Sequence, residues 1–258
     1  MPGPAPRSAA HVTVAGVANR TPVDAAQPPP FKFLSAASLR WVLRHRAWTP
    51  YYLVRYLRLL RMRGRHPSII LQGMVFLGRR VELEARPGYG RLILGSFVHI
   101  GNDTALRSHE GTLRVGEKTV FGRDTIVNSY LDVEIGPGAL ISDFVYIADF
   151  DHRTEDLHRP IKDQGIVKAP VRIGAGCWLG VKATVLRGCV VGDGAVVGAN
   201  SVVTRHVPPY AVVAGAPARV IADRQAAAAV AERTRQALDD IGVKTARAAR
   251  AHAGEGAD

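Results

Sequence analysis

From Val171 to Val207 the chain reads VRIGAG CWLGVK ATVLRG CVVGDG AVVGAN SVVTRHV. Every sixth residue from Ile173 is aliphatic: Ile173, Leu179, Val185, Val191, Val197 and Val203. Glycine follows at Gly174, Gly180, Gly192 and Gly198. A small side chain stands two residues before the next aliphatic one, at Cys177, Ala183, Cys189, Ala195 and Ser201. An amphipathic helix repeats every 3.6 residues or so and a strand every two, so this period is neither. It suits short strands, alternating in and out, broken by a tight corner every six residues. Self-similarity at a fixed short period predicts a solenoid.

The same period starts imperfectly near Ile70, at Leu71, Leu77 and Leu83. It sharpens at Leu94, Ile100 and Leu106, then slips and resumes at Val115, Phe121 and Val127, and again at Ile135, Ile141 and Ile147. The slips, around His109-Glu110-Gly111 and Leu131-Asp132, predict corner loops. Residues 149–170, DFDHRTEDLHRPIKDQGIVKAP, break the pattern altogether. Long excursions from a rigid repeat are where function concentrates.

Outside the repeat the pattern changes. Residues 1–30 are rich in Ala and Pro and predict a disordered tail. Residues 31–66 mix aromatic and leucine positions with eight arginines between Leu39 and His66 and no acid. Two helices fit there, roughly 35–47 and 50–63, with Thr49 capping and Pro50 at the first position of the second. After Pro208-Pro209 the repeat ends, and the Ala-rich stretch 222–240 predicts a terminal helix with a frayed tail to Asp258. The organisation expected is a tail over 1–30, a basic aromatic helical segment over 31–69, a solenoid over 70–221, and a helix and tail over 222–258.

Composition narrows the reading little. With 258 residues, 47% hydrophobic and 22% charged, the chain can bury one good-sized core. The only cysteines, Cys177 and Cys189, occupy small-residue positions of the repeat, so packed thiols are expected rather than disulfides. No apolar run is long enough to cross a membrane, and the N-terminus lacks the pattern of a secretory signal. The net charge of +12 lies mostly in 31–66. Two readings of that segment stand together: a helical cap over the open end of the solenoid, and a peripheral contact with anionic lipid. No nucleic-acid-binding motif accompanies the charge, so nucleic acid is not an expected partner.

The sequences IGAGCWLG (173–180), VVGANSVVTRHVPPYAVVAGAPARVI (196–221) and the loop with DFDH (149–152) and PIKDQG (160–165) resemble the hexapeptide-repeat acyltransferases. Within them the chain is similar to the maltose and galactoside O-acetyltransferases and to relatives that acetylate bacterial cell-surface sugars. The resemblance covers about 70–221. It implies a mainly β fold, a left-handed parallel β-helix, with handedness coming from the resemblance alone. It also implies a homotrimer with clefts between subunits, acetyl-CoA as co-substrate and no metal. The basic aromatic segment at 31–66, outside the resemblance, adds the expectation of a cytoplasmic setting at the inner face of the membrane.

Carried over residue by residue, the resemblance makes His152 the general base that takes a proton from the acceptor hydroxyl, a role that suits imidazole. Trp178, Ala199, Thr204, Arg205 and Arg219 match the coenzyme A contacts; the two guanidinium groups suit phosphates. Asp124, Asn128, Asp149 and Asp151 are the acceptor-facing candidates, and Asp149 or Asp151 could instead orient the His152 ring. The match at FGRDTIVNSYLD (121–132) is loose, so maltose or galactoside specificity does not carry over. An unidentified backbone N–H is expected to hold the oxyanion. A sugar, glycan or glycolipid acceptor is the leading expectation. A xenobiotic acceptor, a longer acyl donor, or a non-catalytic trimeric scaffold are the alternatives. His99, His109 and His158 do not supply the three-histidine zinc set found elsewhere on this fold.

Overall fold

The computed structural model describes residues 36–66 and 68–238. The proline-rich tail and the end of the chain lie outside the described residues. Helix α1 runs Ala36–Arg44 and α2 Pro50–Arg65. Pro50 does open α2, as its fixed φ favours, but Thr49, although it holds the N-cap position, makes no side-chain cap bond.

From Ile70 the chain winds as a parallel β-solenoid of six coils and part of a seventh. Three sheets form its faces. The first stacks strands Ile70–Leu71, Gly90–Leu94, Gly111–Val115, Asp132–Ile135, Val171–Ile173 and Val190–Val191. The second runs from Val75–Leu77 through Leu140–Ile141 and Trp178–Leu179 to Ala211–Ala214, and closes on an antiparallel strand, Arg219–Asp223. The third runs from Glu82–Ala85 through Ile126–Ser129 and Tyr146–Ala148 to Val202–Val203. A helix over 224–238 follows. Each coil contributes one strand to each face, which is why three six-residue units make one turn.

The six-residue period maps directly onto the core. All the aliphatic positions named above are buried, from Leu71 through Ile147 to Val203, and so are the small positions Cys177, Ala183, Cys189, Ala195 and Ser201. Burial pushes both thiols up from their usual pKa, with Asp193 adding to the effect at Cys177. That keeps them protonated and weakly nucleophilic.

Two of the three edges between faces carry a column of residues in the left-handed backbone region. One column contains Asp124 (φ 53°), Phe144 (60°), Lys182 (59°) and Asn200 (56°). The other contains Lys118 (57°), Gly138 (66°), Gly176 (62°), Gly194 (65°) and Tyr210 (59°). A non-glycine residue in this region is disfavoured by roughly 1–2 kcal/mol. A hydrogen bond offsets it at every coil. Phe144 N donates to Arg123 O (2.9 Å), Lys182 N to Asp143 O (3.0 Å) and Asn200 N to Val181 O (2.9 Å). The corners therefore stack on each other by backbone bonds, as the strands do.

The repeat glycines at Gly174, Gly180, Gly192 and Gly198 serve close approach between coils. They are not the left-handed residues. A Cβ at Gly136 would lie 2.6 Å from Ala175 N, and one at Gly180 2.7 Å from Ala199 N. The glycine lets one coil's backbone settle directly on the next. Gly136→Ala is expected to destabilise the fold by about 1–3 kcal/mol, because the obstructing atoms are backbone; urea denaturation with fluorescence readout measures it.

Helix α2 packs on the first coil. Leu59 joins the hydrophobic core, and Trp41, Tyr52 and Tyr56 surround the buried ring of Phe76. Arg55 and Arg58 donate to the carbonyls of Phe76 (3.5 Å) and Leu77 (3.3 Å). The helical cap is thus present. On the far side of Phe76, His99 stacks at 4.3 Å between ring centroids. Burial, reinforced by the Arg55 charge, lowers its pKa to about 4. The unfolded chain binds a proton near the ordinary histidine value while the fold does not, so stability rises with pH across this window. Stability should therefore fall as pH drops from about 6.5 towards 4, by on the order of 1 kcal/mol at about pH 5. Urea titrations at stepped pH should show this slope, and His99→Phe should flatten it.

Candidate active site

The solenoid is interrupted once between its fourth and fifth coils. There the chain leaves at Asp149 and forms an antiparallel hairpin, Phe150–His152 against Ile166–Lys168, with His152 opposite Ile166. A short 3-10 turn, Ile161–Asp163, lies in its tip. The sequence placed a loop here; the hairpin within it was not foreseen.

Asp149 fixes where the hairpin leaves. Its side chain is fully buried and points into the turn below. One carboxylate oxygen accepts from Tyr130 N (2.7 Å). The other accepts from Ser129 Oγ (3.0 Å), Leu131 N (2.8 Å) and Asp132 N (2.7 Å). Its backbone carbonyl accepts from Ala169 N (2.8 Å), which closes the hairpin base. Asp149, expected among acceptor-facing residues, is thereby turned inward: all its acceptor capacity goes to holding the 129–132 turn. Asp151 remains exposed, and its Oδ1 accepts from His152 N (2.9 Å).

A row of rings runs from that turn to the hairpin. His109 stacks on Tyr130 at 4.7 Å, Tyr130 meets Phe150 at 4.5 Å, and Phe150 presents its edge to His152 at 6.4 Å. Lys168, on the hairpin's returning strand, pairs with Glu110 and lies 5.6 Å from the Tyr130 centroid. His152 itself is exposed. Beside the hairpin root, Asn128 pairs in register with Ala148 on the third face. Its Oδ1 is buried, with no hydrogen-bond partner among the described residues. A buried acceptor without a donor is costly in isolation and is a natural place for an incoming hydroxyl.

A family model described as hexapeptide repeat of succinyl-transferase matches residues 170–205. A probable acetyltransferase of Mycobacterium tuberculosis is 52% identical over 223 residues, covering 85% of this chain and 74% of that protein. The chain belongs to the hexapeptide-repeat acetyltransferases. A putative lipopolysaccharide biosynthesis O-acetyl transferase of Escherichia coli is 37% identical over 120 residues, 41% of this chain and 61% of that protein. A mutant of an N-acyltransferase from Bacillus cereus, solved with dTDP-4-amino-4,6-dideoxyglucose and coenzyme A, is 15% identical with a TM-score of 0.52. That match covers 68% of this chain and 96% of the other, and shows a shared fold.

In this acetyltransferase the remaining expected residues fall into two groups. Trp178 lies on the second face, 47% exposed, its ring N–H donating to Ser142 Oγ (3.1 Å). Ala199 is exposed at the next corner, directly over Gly180. Thr204 and Arg205 follow the last strand of the third face, and Arg219 begins the closing antiparallel strand. Arg205 and Arg219 are exposed and belong to no ion pair among the described residues. Asp124 sits in the corner column, paired with Arg123 (2.8 Å). The single chain thus gathers Asn128 and the hairpin root on the third face, while Trp178 lies on the second. His152 stands on the hairpin that leaves after the third face.

Sequence reasoning missed Tyr130, Phe150, Lys168 and Glu110. Tyr130 and Glu110 stand in the slips of the repeat, where periodicity carries no signal, and only the folded chain aligns them. Asp149→Ala should cost on the order of 3 kcal/mol, since it removes a buried carboxylate that holds four donors, Ser129 Oγ among them in a buried bond. Calorimetric unfolding would measure it, and limited proteolysis should show the hairpin cleaved sooner.

Proposed function

We propose that this acetyltransferase moves an acetyl group from acetyl-CoA to a hydroxyl of a sugar, glycan or glycolipid of the cell envelope. In this reading His152 is the general base and the working form is a cytoplasmic homotrimer near the inner membrane face. What carries the reading is the placement of an exposed imidazole on the hairpin that breaks the solenoid, a hairpin whose root follows the Ala148 that pairs with Asn128. The similarity to a putative lipopolysaccharide O-acetyl transferase supports an envelope glycan as acceptor.

His152 takes the proton of the acceptor hydroxyl as the oxygen attacks the thioester carbonyl. The tetrahedral intermediate collapses, the C–S bond breaks, and the imidazolium returns the proton to the departing thiolate. Asn128 accepts from an acceptor hydroxyl, and Asp151, exposed on the hairpin, is a second acceptor-binding candidate. Asp124 is the remaining acceptor candidate, at the edge of the third face. Trp178 flanks the thioester end, Ala199 leaves room for the pantetheine arm, and Thr204, Arg205 and Arg219 meet the anionic nucleotide end. The residues present fit such a donor: a half-exposed ring, a small corner side chain and two unpaired guanidinium groups.

In a trimer a neighbouring subunit would complete the site. The hairpin projects an apolar tip, with Leu157 90% exposed and Ile161 53% exposed. Such a tip is suited to a neighbouring subunit, which would set Trp178 of one chain against His152 of the next.

His152→Ala should lower kcat by on the order of 100-fold or more with little change in KM for acetyl-CoA. Thiol release with acetyl-CoA and a panel of glycans measures both. Trp178→Ala should raise KM for acetyl-CoA. Mixing the two impaired variants as re-formed oligomers should recover activity at low acetyl-CoA, because some clefts then hold both native residues. No recovery, from oligomers shown to have exchanged subunits, would mean that the site lies within one chain.

A further inference from the structure

Acyl transfer leaves the amino-terminal helices unused, and their surface is unusual. No Asp or Glu occurs between Asp24 and Glu82. Helix α2 is apolar on two sides. Tyr52, Tyr56 and Leu59 face the solenoid. Leu53, Leu57 and Leu60 follow i, i+4, i+7 spacing on an adjoining side, roughly 100° round the helix, and are all exposed, Leu57 by 65%. On α1, Leu39 and Leu43 are exposed one turn apart, and Trp48 is exposed in the connection. Monomeric surfaces seldom keep this many large apolar side chains together without a use for them.

Arginine borders this face. Arg61 and Arg65 follow Leu57 at four and eight residues, which carries them progressively round the helix from the far edge of the leucine face. They also line a cleft of about 280 Å³ between α2 and the first coil, with Arg58, Arg79, Arg80 and His66. Arg80 is paired with Asp103. No carboxylate among the described residues lies within ion-pair distance of Arg58, Arg61, Arg65 or Arg79. Guanidinium groups gathered in a cleft without counter-charge suit phosphate oxygens, which they bind in forked pairs. A nucleic acid would satisfy the charge but not the leucines. A bilayer carrying phosphate headgroups satisfies both.

We propose that this surface docks on a membrane of anionic phospholipids, the leucine face entering the interface and the arginine cleft taking a headgroup phosphate. The docking would hold the enzyme beside lipid-linked glycans. It rests on the envelope setting proposed above, but its test reads lipid binding and needs no acyl transfer, so the two can fail separately.

The full chain should sediment with vesicles of equal parts phosphatidylcholine and phosphatidylglycerol, and not with phosphatidylcholine alone. Binding should weaken as salt is raised. Leu57→Glu with Leu60→Glu should weaken it at least about tenfold, as should Arg61→Glu with Arg65→Glu, by losing insertion and charge respectively. Both pairs lie at exposed or cleft-rim positions, and circular dichroism and light scattering confirm fold and oligomer mass. The proposal is overturned by equal binding to uncharged vesicles, or by vesicle binding that survives both pairs of substitutions. It is equally overturned if the leucine variants change oligomer mass, because the face is then a subunit contact. Binding of inorganic phosphate or of a short RNA without any vesicle binding would also overturn it.

Discussion

Each coil of this protein rests on the backbone of the one before it, at its corners as well as along its faces. The strand ladders alone would allow coils to shear or fan. The corner bonds, from residues such as Phe144, Lys182 and Asn200, prevent that by fixing the spacing at two edges of the prism. The repeat glycines serve the same constraint, since any side chain there would prop the coils apart. The cost of left-handed backbone at non-glycine corners is tolerated because each such residue gains a bond to the coil beneath. The result is a rigid ruler on which side chains far apart in sequence hold fixed separations.

The candidate site uses that rigidity by departing from it at one place. Asp149 ends the fourth coil, and its carboxylate gathers the turn one coil below while its carbonyl closes the hairpin base. One buried side chain therefore sets both the hairpin that carries His152 and the turn that carries Tyr130. The ring row from His109 to Phe150 packs along the junction. Beyond it His152 is exposed on the outgoing strand of the hairpin.

The amino-terminal helices solve a different problem. A solenoid has an open end whose last strands and core would face water. Leu59 and the aromatic cluster around Phe76 close it, and Arg55 and Arg58 satisfy carbonyls of the first coil. A cap needs only one apolar side. The second apolar side of α2, with arginines along it, is more than closure requires.

The six-residue period by itself determined the solenoid, its inward positions and the existence of an excursion at 149–170. It could do so because a stacked coil imposes the same environment at the same step in every turn, so the pattern is written locally many times. The resemblance in the excursion and in the ending then pointed to His152, Trp178 and the arginines as a set. The sequence did not reveal that Asp149 faces inward, that a hairpin forms, or that Tyr130, Phe150, Lys168 and Glu110 meet. Those depend on which residues of adjacent coils fall in register, and in the slips no period records the register. Nor could it say that α2 keeps a second apolar side exposed, because helical spacing shows where leucines lie but not which of them the solenoid covers. Only the tertiary packing decides that, by burying one side and leaving the other to solvent.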